Sequence, residues 1–326
     1  MADLTILIPS WNRRDLLASC LESVRGEAAE VLVVDNGSTD GSAELAREQG
    51  MAVLQLPKNR GFAAAINAGL LQVSTAWVAI LNNDVEPEPG YFAALLRAAE
   101  QSGAGWATGK ILSASQPDRF DATTDALSRG ACPWRVGHGR ADNAAWEGPA
   151  QALLVPFTAA LFRMDLFRQL GSLDERFESY LEDVEFGVRA ALAGYHGCYV
   201  PEARAYHQGS ATLGRWHPTT VRRLARNQLW LVARHYPSGW LRRYGWAVLV
   251  GQALWIAVAF AHGAGWAAVR GKCQAIRTFR AIRAATPPDP DGRKLASLLQ
   301  NSEQEIAAAQ QATGWDPYWK WYFRLT

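Results

Sequence analysis

No Asp or Glu occurs between Ala203 and Pro288, although thirteen Arg or Lys fall there, so a net charge of only +2 conceals an acidic remainder and one basic stretch. Such asymmetry points to a polyanion or an anionic membrane surface. No nucleic-acid recognition motif accompanies the charge, so nucleic acid is not an expected partner. Cysteine is sparse: Cys20, Cys132, Cys198 and Cys273 are scattered without a C-x-x-C pair, which argues against a zinc site or a disulfide framework. The opening Met-Ala-Asp and the short apolar run behind it lack the basic-then-apolar pattern of a signal peptide, and a reducing, cytoplasmic compartment is expected. There is no P-loop. The single G-x-G-x-x-A, Gly263 to Ala268, lies between an apolar run and a basic helix, outside any βαβ context, and is not a dinucleotide site. What remains is an ordinary globular composition, 49% hydrophobic and 20% charged.

The most informative stretch is Trp77-Val-Ala-Ile-Leu-Asn-Asn-Asp-Val-Glu-Pro87. Its apolar run has no period-2 alternation, so it reads as a strand buried on both faces, ending in a polar tip, with Pro87 and Pro89 stopping regular structure. Open α/β sheets bind ligands at the carboxyl ends of their strands. Asp84, between amides and prolines, suits a hard divalent cation; an Asx-rich turn is the plainer alternative. Before it, Leu4–Ile8, Val31–Val34 and Val53–Leu56 read as strands, separated by helical stripes over Arg13–Arg25 and Ala43–Gln49 and followed, after Lys58–Phe62, by an Ala-rich helix to Leu71. The first ninety residues therefore read β-α-β-α-β-α-β, an α/β doubly wound, mainly parallel sheet with helices on both faces. Asp35, Asn36, Ser38, Asn59, Asn67 and Asp84 then converge on one rim, a chemistry suited to a nucleotide with a bound metal. Asp35 would accept hydrogen bonds from a base N–H or a ribose hydroxyl, and Asp84 would hold a cation against a diphosphate. Turn and N-cap chemistry is the alternative for Asp35-Asn-Gly-Ser.

From Pro89 to Ala152 less is legible: a helix over Tyr91–Gln101, a strand starting at Trp106–Lys110, then a loop-rich Gln116–Gly148 that suits an acceptor-facing insertion. Phe162–Gly171 reads as one short helix with a Gly stop. Tyr180–Arg189 leads a second helix with Glu182 and Asp183 in its first turn. Those carboxylates complement the helix dipole or supply a general base. Cys198–Val200 is a last strand, and His207 beyond it is a ligand candidate.

Taken together, Pro9-Ser-Trp-Asn12, Val33–Ser42, Asn59-Arg-Gly-Phe-Ala63 with Asn67, Leu81-Asn-Asn-Asp-Val85, Leu173-Asp-Glu-Arg-Phe177, Glu182-Asp-Val-Glu185 with Arg189, Ala193-Gly-Tyr195 and His207 resemble the family 2 glycosyltransferases of GT-A fold, in particular their bacterial rhamnosyltransferase-like branch. The resemblance covers roughly residues 1–212. It implies a nucleotide-sugar donor, a divalent cation (Mg²⁺ or Mn²⁺), and inversion at the anomeric carbon. It places Pro9, Ser10, Asn12, Asp35, Asn36, Ser38, Asn59, Gly61, Asn67, Asn83 and Asp84 around the donor. Asp84 and His207 fall at the metal, Asp183 at the catalytic base, and Glu182 on the acceptor side. Two departures stand out: the D-x-D-type metal motif keeps one acid, Asp84, and Glu185 replaces a more usual Asp. The branch favours dTDP-rhamnose, with UDP- or GDP-sugars also open, and a glycan or lipid-linked acceptor in cell-surface polysaccharide synthesis. A non-catalytic nucleotide-sugar or glycan-binding protein on the same fold is the alternative.

Residues 213–326 are expected to form a separate helical region. Tyr244–Val269 carries no charged residue and is long enough to span a membrane. Basic residues flank both its ends, however, pulling both toward the cytoplasm. Helices lying on an anionic surface, on the inner face of the plasma membrane, are the expectation, and a buried helical domain the alternative. Pro287–Pro290 reads as a linker to a last helix, Lys294–Ala312, and an aromatic tail, Trp315–Phe323.

Overall fold

The computed structural model describes residues 3–148, 150–209, 214–285 and 291–326. The Pro287–Pro290 linker and the 212/213 boundary lie outside the described residues. Contacts divide the chain into two units, Met1–Thr124 with Gly137–Thr212, and Asp125–Val136 with Leu213–Thr326. The Asp125–Val136 segment, read from sequence as part of the first region, thus belongs with the helices.

In the first unit the chain runs β1 (Leu4–Ser10), α1 (Arg14–Ser23), β2 (Glu30–Asp35), α2 (Ser42–Glu48), β3 (Ala52–Gln55), α3 (Phe62–Leu70) and β4 (Trp77–Leu81), in the predicted order. All of β1 is buried, and so are the last four residues of β4. Then come β5 (Val85–Pro87), α4 (Tyr91–Ser102), β6 (Trp106–Ser113) and β7 (Gln116–Ala122). A hairpin of β8 (Asp125–Leu127) and β9 (Pro133–Arg135) follows. The unit resumes with β10 (Ala150–Ala152), β11 (Ala159–Arg163), α5 (Met164–Leu170), α6 (Glu182–Leu192) and β12 (Gly197–His207). The sheet order is β10-β12-β6-β11-β4-β1-β2-β3. β1, β2, β3 and β4 are parallel, and β11 runs antiparallel between β4 and β6.

Alternate residues of the central strands point to opposite faces. Ile6, Ile8, Ala79 and Leu81 pack with α1 and α4, whereas Leu7, Val34, Val78 and Ile80 pack with α3, α5 and α6. Because both faces are covered, the strands need no polar side, and this is why they read as continuous apolar runs.

Three local readings are corrected. Phe162 and Arg163 close β11 and are not helical; the helix starts at Met164. Val85–Pro87 is a strand despite its proline, pairing with Ala205–His207 of β12. Proline is tolerated there because β5 is a short strand paired on one side only. Gln116–Gly148, read as loop-rich, contains β7 and the β8–β9 hairpin. The first four residues of β7 are exposed and, apart from Pro117, polar, which hid its period.

The second unit holds α7 (Pro218–His235), α8 (Trp240–Ala261), α9 (Gly265–Ala285), α10 (Arg293–Thr313) and α11 (Pro317–Leu325). α7, α8 and α9 pack on one another through Val221, Ala225, Ala259, Ala264 and Ala268. Only 28% of the most apolar window of α8 is buried. Most of that apolar window is therefore open rather than packed inside the helical unit. Arg226, Arg234 and Lys272 are buried and do not contribute to a basic surface.

Candidate active site

The strand order reverses at β1, whose neighbours are β2 on one side and β4 on the other. A crevice for ligands opens at such a switch point, at the strands' carboxyl ends. Here the ends of β1 and β4 meet, and Asn83 Nδ2 donates to Ser10 Oγ at 3.1 Å. Pro9, one residue earlier, is buried opposite Val34 in the β1–β2 ladder.

The loop after β1 is stitched to the loop after β2. The Asn12 N–H donates to Ser38 Oγ at 2.8 Å, the Thr39 N–H to Asn12 Oδ1 at 3.0 Å, and the Arg14 N–H to Asp40 Oδ2 at 2.9 Å. Asn12 and Arg13 both adopt left-handed backbone, φ 55° and 60°. Non-glycine residues hold that conformation only where their surroundings impose it, and such positions gather at functional sites. Asp35 is fully buried and accepts the Ser38 N–H at 3.3 Å. Asn36 clamps the next loop, donating to Asn59 Oδ1 and Gly61 O and accepting the Arg60 N–H.

Two residues assigned to the donor carry a structural task. Asn67 spends its amide on the backbone N–H and C=O of Leu173 and on Glu175, locking α3 to the Leu173–Phe177 turn. Gly61 (φ +92°) lies against the backbone of Glu178, where a Cβ would stand 2.8 Å from the carbonyl oxygen. Gly61→Ala is therefore expected to destabilise the fold by about 1–3 kcal/mol. Gly26 has the same φ with nothing within 4 Å of its would-be Cβ. In thermal denaturation, Gly26→Ala should shift the midpoint less; equal shifts would refute the close-approach argument.

The clamped segment leads into the helix that carries Asp183. Glu178, Tyr180 and Leu181 have φ of 62°, 75° and 66°, three left-handed residues immediately before α6. Arg189 holds this region from below, pairing with the fully buried Glu185 and donating to the carbonyls of Leu170 and Ser172. Glu185 is thus a structural ion-pair partner, as its place on the helix allowed. Glu182 is buried, while Asp183 is half-buried and accepts the Val184 N–H at 2.8 Å.

Asp84 and His207 meet because β5 pairs with the end of β12, with His207 opposite Val85 and the Gln208 N–H on Asp84 O. His207 Nε2 lies 3.2 Å from Asp84 Oδ1, and its Nδ1 lies 2.8 Å from Asp121 Oδ2. Burial pushes the imidazolium down, but hydrogen bonds and charge from Asp121 and Asp84 more than reverse this and leave it pushed up to about 9. Asp121 was missed from the sequence. It is the extra residue of a β-bulge, lying between the pairs Ile111–Ala122 and Leu112–Phe120. Bulges re-aim side chains beside active sites. The sole hint in sequence was the apolar Phe120 and Ala122 on either side. Arg13 was missed too: chiefly Asp15, and also Asp84, hold its guanidinium above its ordinary value, so it lies within electrostatic reach of Asp84.

Among the described residues, no three or more His, Cys, Asp and Glu side chains are arranged to hold a metal by themselves. A hard cation in such sites commonly takes one or two protein ligands and completes its shell with substrate phosphates and water. The Asp84 carboxylate fits that donor set, and His207 Nε2 would join it only by giving up the proton it shares with Asp84.

Similarity to known proteins agrees with this architecture. Residues 5–171 match the family model described as "Glycosyl transferase family 2". An N-acetylglucosaminyl-diphospho-decaprenol L-rhamnosyltransferase of Mycobacterium tuberculosis is 29% identical over 246 residues, covering 65% of this chain and 76% of that protein. The O-antigen biosynthesis protein RfbC of Myxococcus xanthus is 26% identical over 221 residues, covering 64% of this chain and 17% of that one. Among solved structures, a mannosyltransferase of Pyrobaculum calidifontis in complex with GDP-Man and Mn²⁺ superposes with TM-score 0.53 at 17% identity, covering 98% of this chain and 83% of that one. GalNAc-T7 with UDP, GalNAc and Mn²⁺ superposes with TM-score 0.58 at 14% identity, covering 87% of this chain and 58% of that one. With a family model matched over more than half its length, on a sheet and helices of GT-A type, the chain belongs to the family 2 glycosyltransferases.

Proposed function

We propose that this glycosyltransferase transfers a hexose or deoxyhexose, with inversion, from a nucleoside-diphosphate donor to a hydroxyl of a lipid-linked glycan at the cytoplasmic membrane surface. The observation that carries the reading is the convergence of Ser10, Asn83, Asp84 and His207 at the switch point of the sheet. Rhamnose from dTDP-rhamnose is the first donor to test, since the matched mycobacterial protein is named for rhamnosyl transfer to a decaprenol-linked sugar. UDP- and GDP-sugars come next.

In this mechanism the β1 and β2 loops hold the nucleoside, with Asp35 and Ser38 at its base and ribose. Asp84 and His207 would hold a divalent cation, which supplies charge stabilisation for the departing diphosphate. Asp183 takes the proton of the acceptor hydroxyl as that oxygen attacks the anomeric carbon from the face opposite the diphosphate. The carbon–oxygen bond to the diphosphate breaks as the new glycosidic bond forms. Glu182 stands on the acceptor side.

The test is thermal-shift binding of dTDP, UDP, GDP and CDP, each with and without Mn²⁺, followed by transfer with the donor so identified. A ligand that binds the native state alone raises stability by about 2.7 kcal/mol at a hundredfold excess over Kd. A Mn²⁺-dependent shift with one diphosphate is expected. If none shifts the midpoint and no donor is turned over, a glycan-binding role replaces this reading.

A further inference from the structure

The helical unit contains a cavity of about 540 Å³, lined by Arg129, Arg243, Tyr244, Gln300, Glu303 and Phe323 among others. That volume is in the range of small-ligand sites. Its polar groups are unevenly satisfied. Glu303 is buried, and its oxygens accept the Arg129 N–H, Arg129 Nε and the Tyr322 hydroxyl at 2.8, 2.6 and 2.7 Å. Glu303 is therefore fully engaged, while the two terminal Nη groups of Arg129 take no protein partner among the described residues. Arg243, exposed and stacked over Tyr244, presents a second guanidinium. Two guanidinium groups around one hollow make a fork for a phosphate.

The surroundings say which phosphate. Phe323 is shared with a second, smaller hollow lined by Trp315, Lys320 and Arg324. Beside it, Trp246 Nε1 donates to Leu325 O, tying the end of α11 to α8. Trp246 and Leu249 are 59% and 61% exposed, and Trp321 and Leu325 are also exposed. Along α8 the exposed residues Arg242, Trp246, Leu249, Ala253, Ala257 and Phe260 recur at intervals of three and four, a single apolar stripe with a basic start. Aromatic and aliphatic side chains standing in water beside basic hollows match an interface with apolar chains on one side and phosphates on the other. Spanning is disfavoured: Gly263 (φ +77°) turns the chain into α9, which packs along α8 and exposes Arg270, Arg277 and Arg280.

We propose that this cavity is a head-group site for an anionic phospholipid, and that it seats the helical unit on the bilayer with the α8 stripe and the α11 aromatics at the acyl boundary. The site deepens the reading of a membrane-borne acceptor given above and rests on it.

The test is co-sedimentation of the full chain with phosphatidylcholine vesicles, with and without phosphatidylglycerol, at two salt concentrations. Wild type is expected to bind the phosphatidylglycerol vesicles and not the others. Arg243→Gln with Arg324→Gln should weaken binding about fivefold for each residue neutralised. Trp246→Ser with Leu249→Ser should remove the portion of binding that survives high salt. Arg129 is left intact because its loss would strand the buried Glu303. Equal binding to both vesicle types, or unchanged binding by the arginine variant, would overturn the site. So would inorganic phosphate raising the thermal midpoint as much as vesicles do, which would assign the cavity to a soluble anion. Metal-dependent shifts with nucleoside diphosphates, measured without vesicles, should be unchanged in all these variants, so a failure of docking is separable from a failure of the transferase reading.

Discussion

Asp183→Asn is expected to lower turnover by on the order of 10²–10⁴, the usual worth of a positioned general base, while the nucleoside diphosphate still binds. Three carboxylates stand in the first turn of α6, and their surroundings give them different work. Glu185 is fully buried and neutralised by Arg189 at 3.0 Å. Glu182 is buried. Asp183 alone is partly open, and its carboxylate accepts a backbone N–H in the first turn of the helix. Asparagine keeps an oxygen for the Val184 N–H, so the fold should survive. The comparison variant is Glu185→Gln, two residues away. It removes the anion from a buried ion pair, and should cost about 3 kcal/mol of stability with a smaller effect on kcat in the molecules that remain folded. Calorimetry and steady-state kinetics on both variants separate base from scaffold. If Asp183→Asn turns over like the wild type, or loses stability as Glu185→Gln does, the assignment fails.

That contrast also marks what the sequence made legible. The strands β1 to β4 were plain because a sheet covered on both faces needs uninterrupted apolar runs, and their polar ends fall on one rim by topology alone. Adjacent letters could not separate side chains that face a ligand from those that hold the rim together. Asn67 and Gly61 read as donor-facing just as Asn83 and Asp84 did, yet both contact the Leu173–Glu178 turn more than a hundred residues away. Asp121 was invisible for a related reason. A bulge is a property of two paired strands, and β7 pairs with β6 through a polar, mostly exposed run that has no period to read. Between Ala203 and Pro288, thirteen basic residues without an acid pointed to an anionic partner. They did not reveal that Lys272 is buried, donating to Ala225 O and Gln228, with burial pushing its amine down to about 7. Nor did they reveal that Arg129, outside that stretch, joins the surface they form.

The second large effect is expected at Asp84 and its neighbours. With the two protein donors proposed above and, among the described residues, no third side chain arranged to help, the cation should bind weakly alone and tightly once a diphosphate completes its shell. Mn²⁺ titration by calorimetry should therefore show its affinity rising when the nucleoside diphosphate is present. Asp84→Asn removes the only carboxylate of the pair, and turnover should fall by at least about 10², without recovery at high Mn²⁺. Asp121→Asn behaves differently, because Asp121 reaches the site only through His207. Accepting the Nδ1 proton at 2.8 Å fixes the ring so that Nε2 faces Asp84. Loss of such an orienting partner typically costs 10–100-fold in metal affinity. Saturating Mn²⁺ should restore most of the rate in Asp121→Asn and none of it in Asp84→Asn. Were the two variants to respond alike to Mn²⁺, Asp121 would be a direct ligand and the bulge would have placed a second acid in the site. That acid would answer for the one missing from the Asn82-Asn83-Asp84 motif.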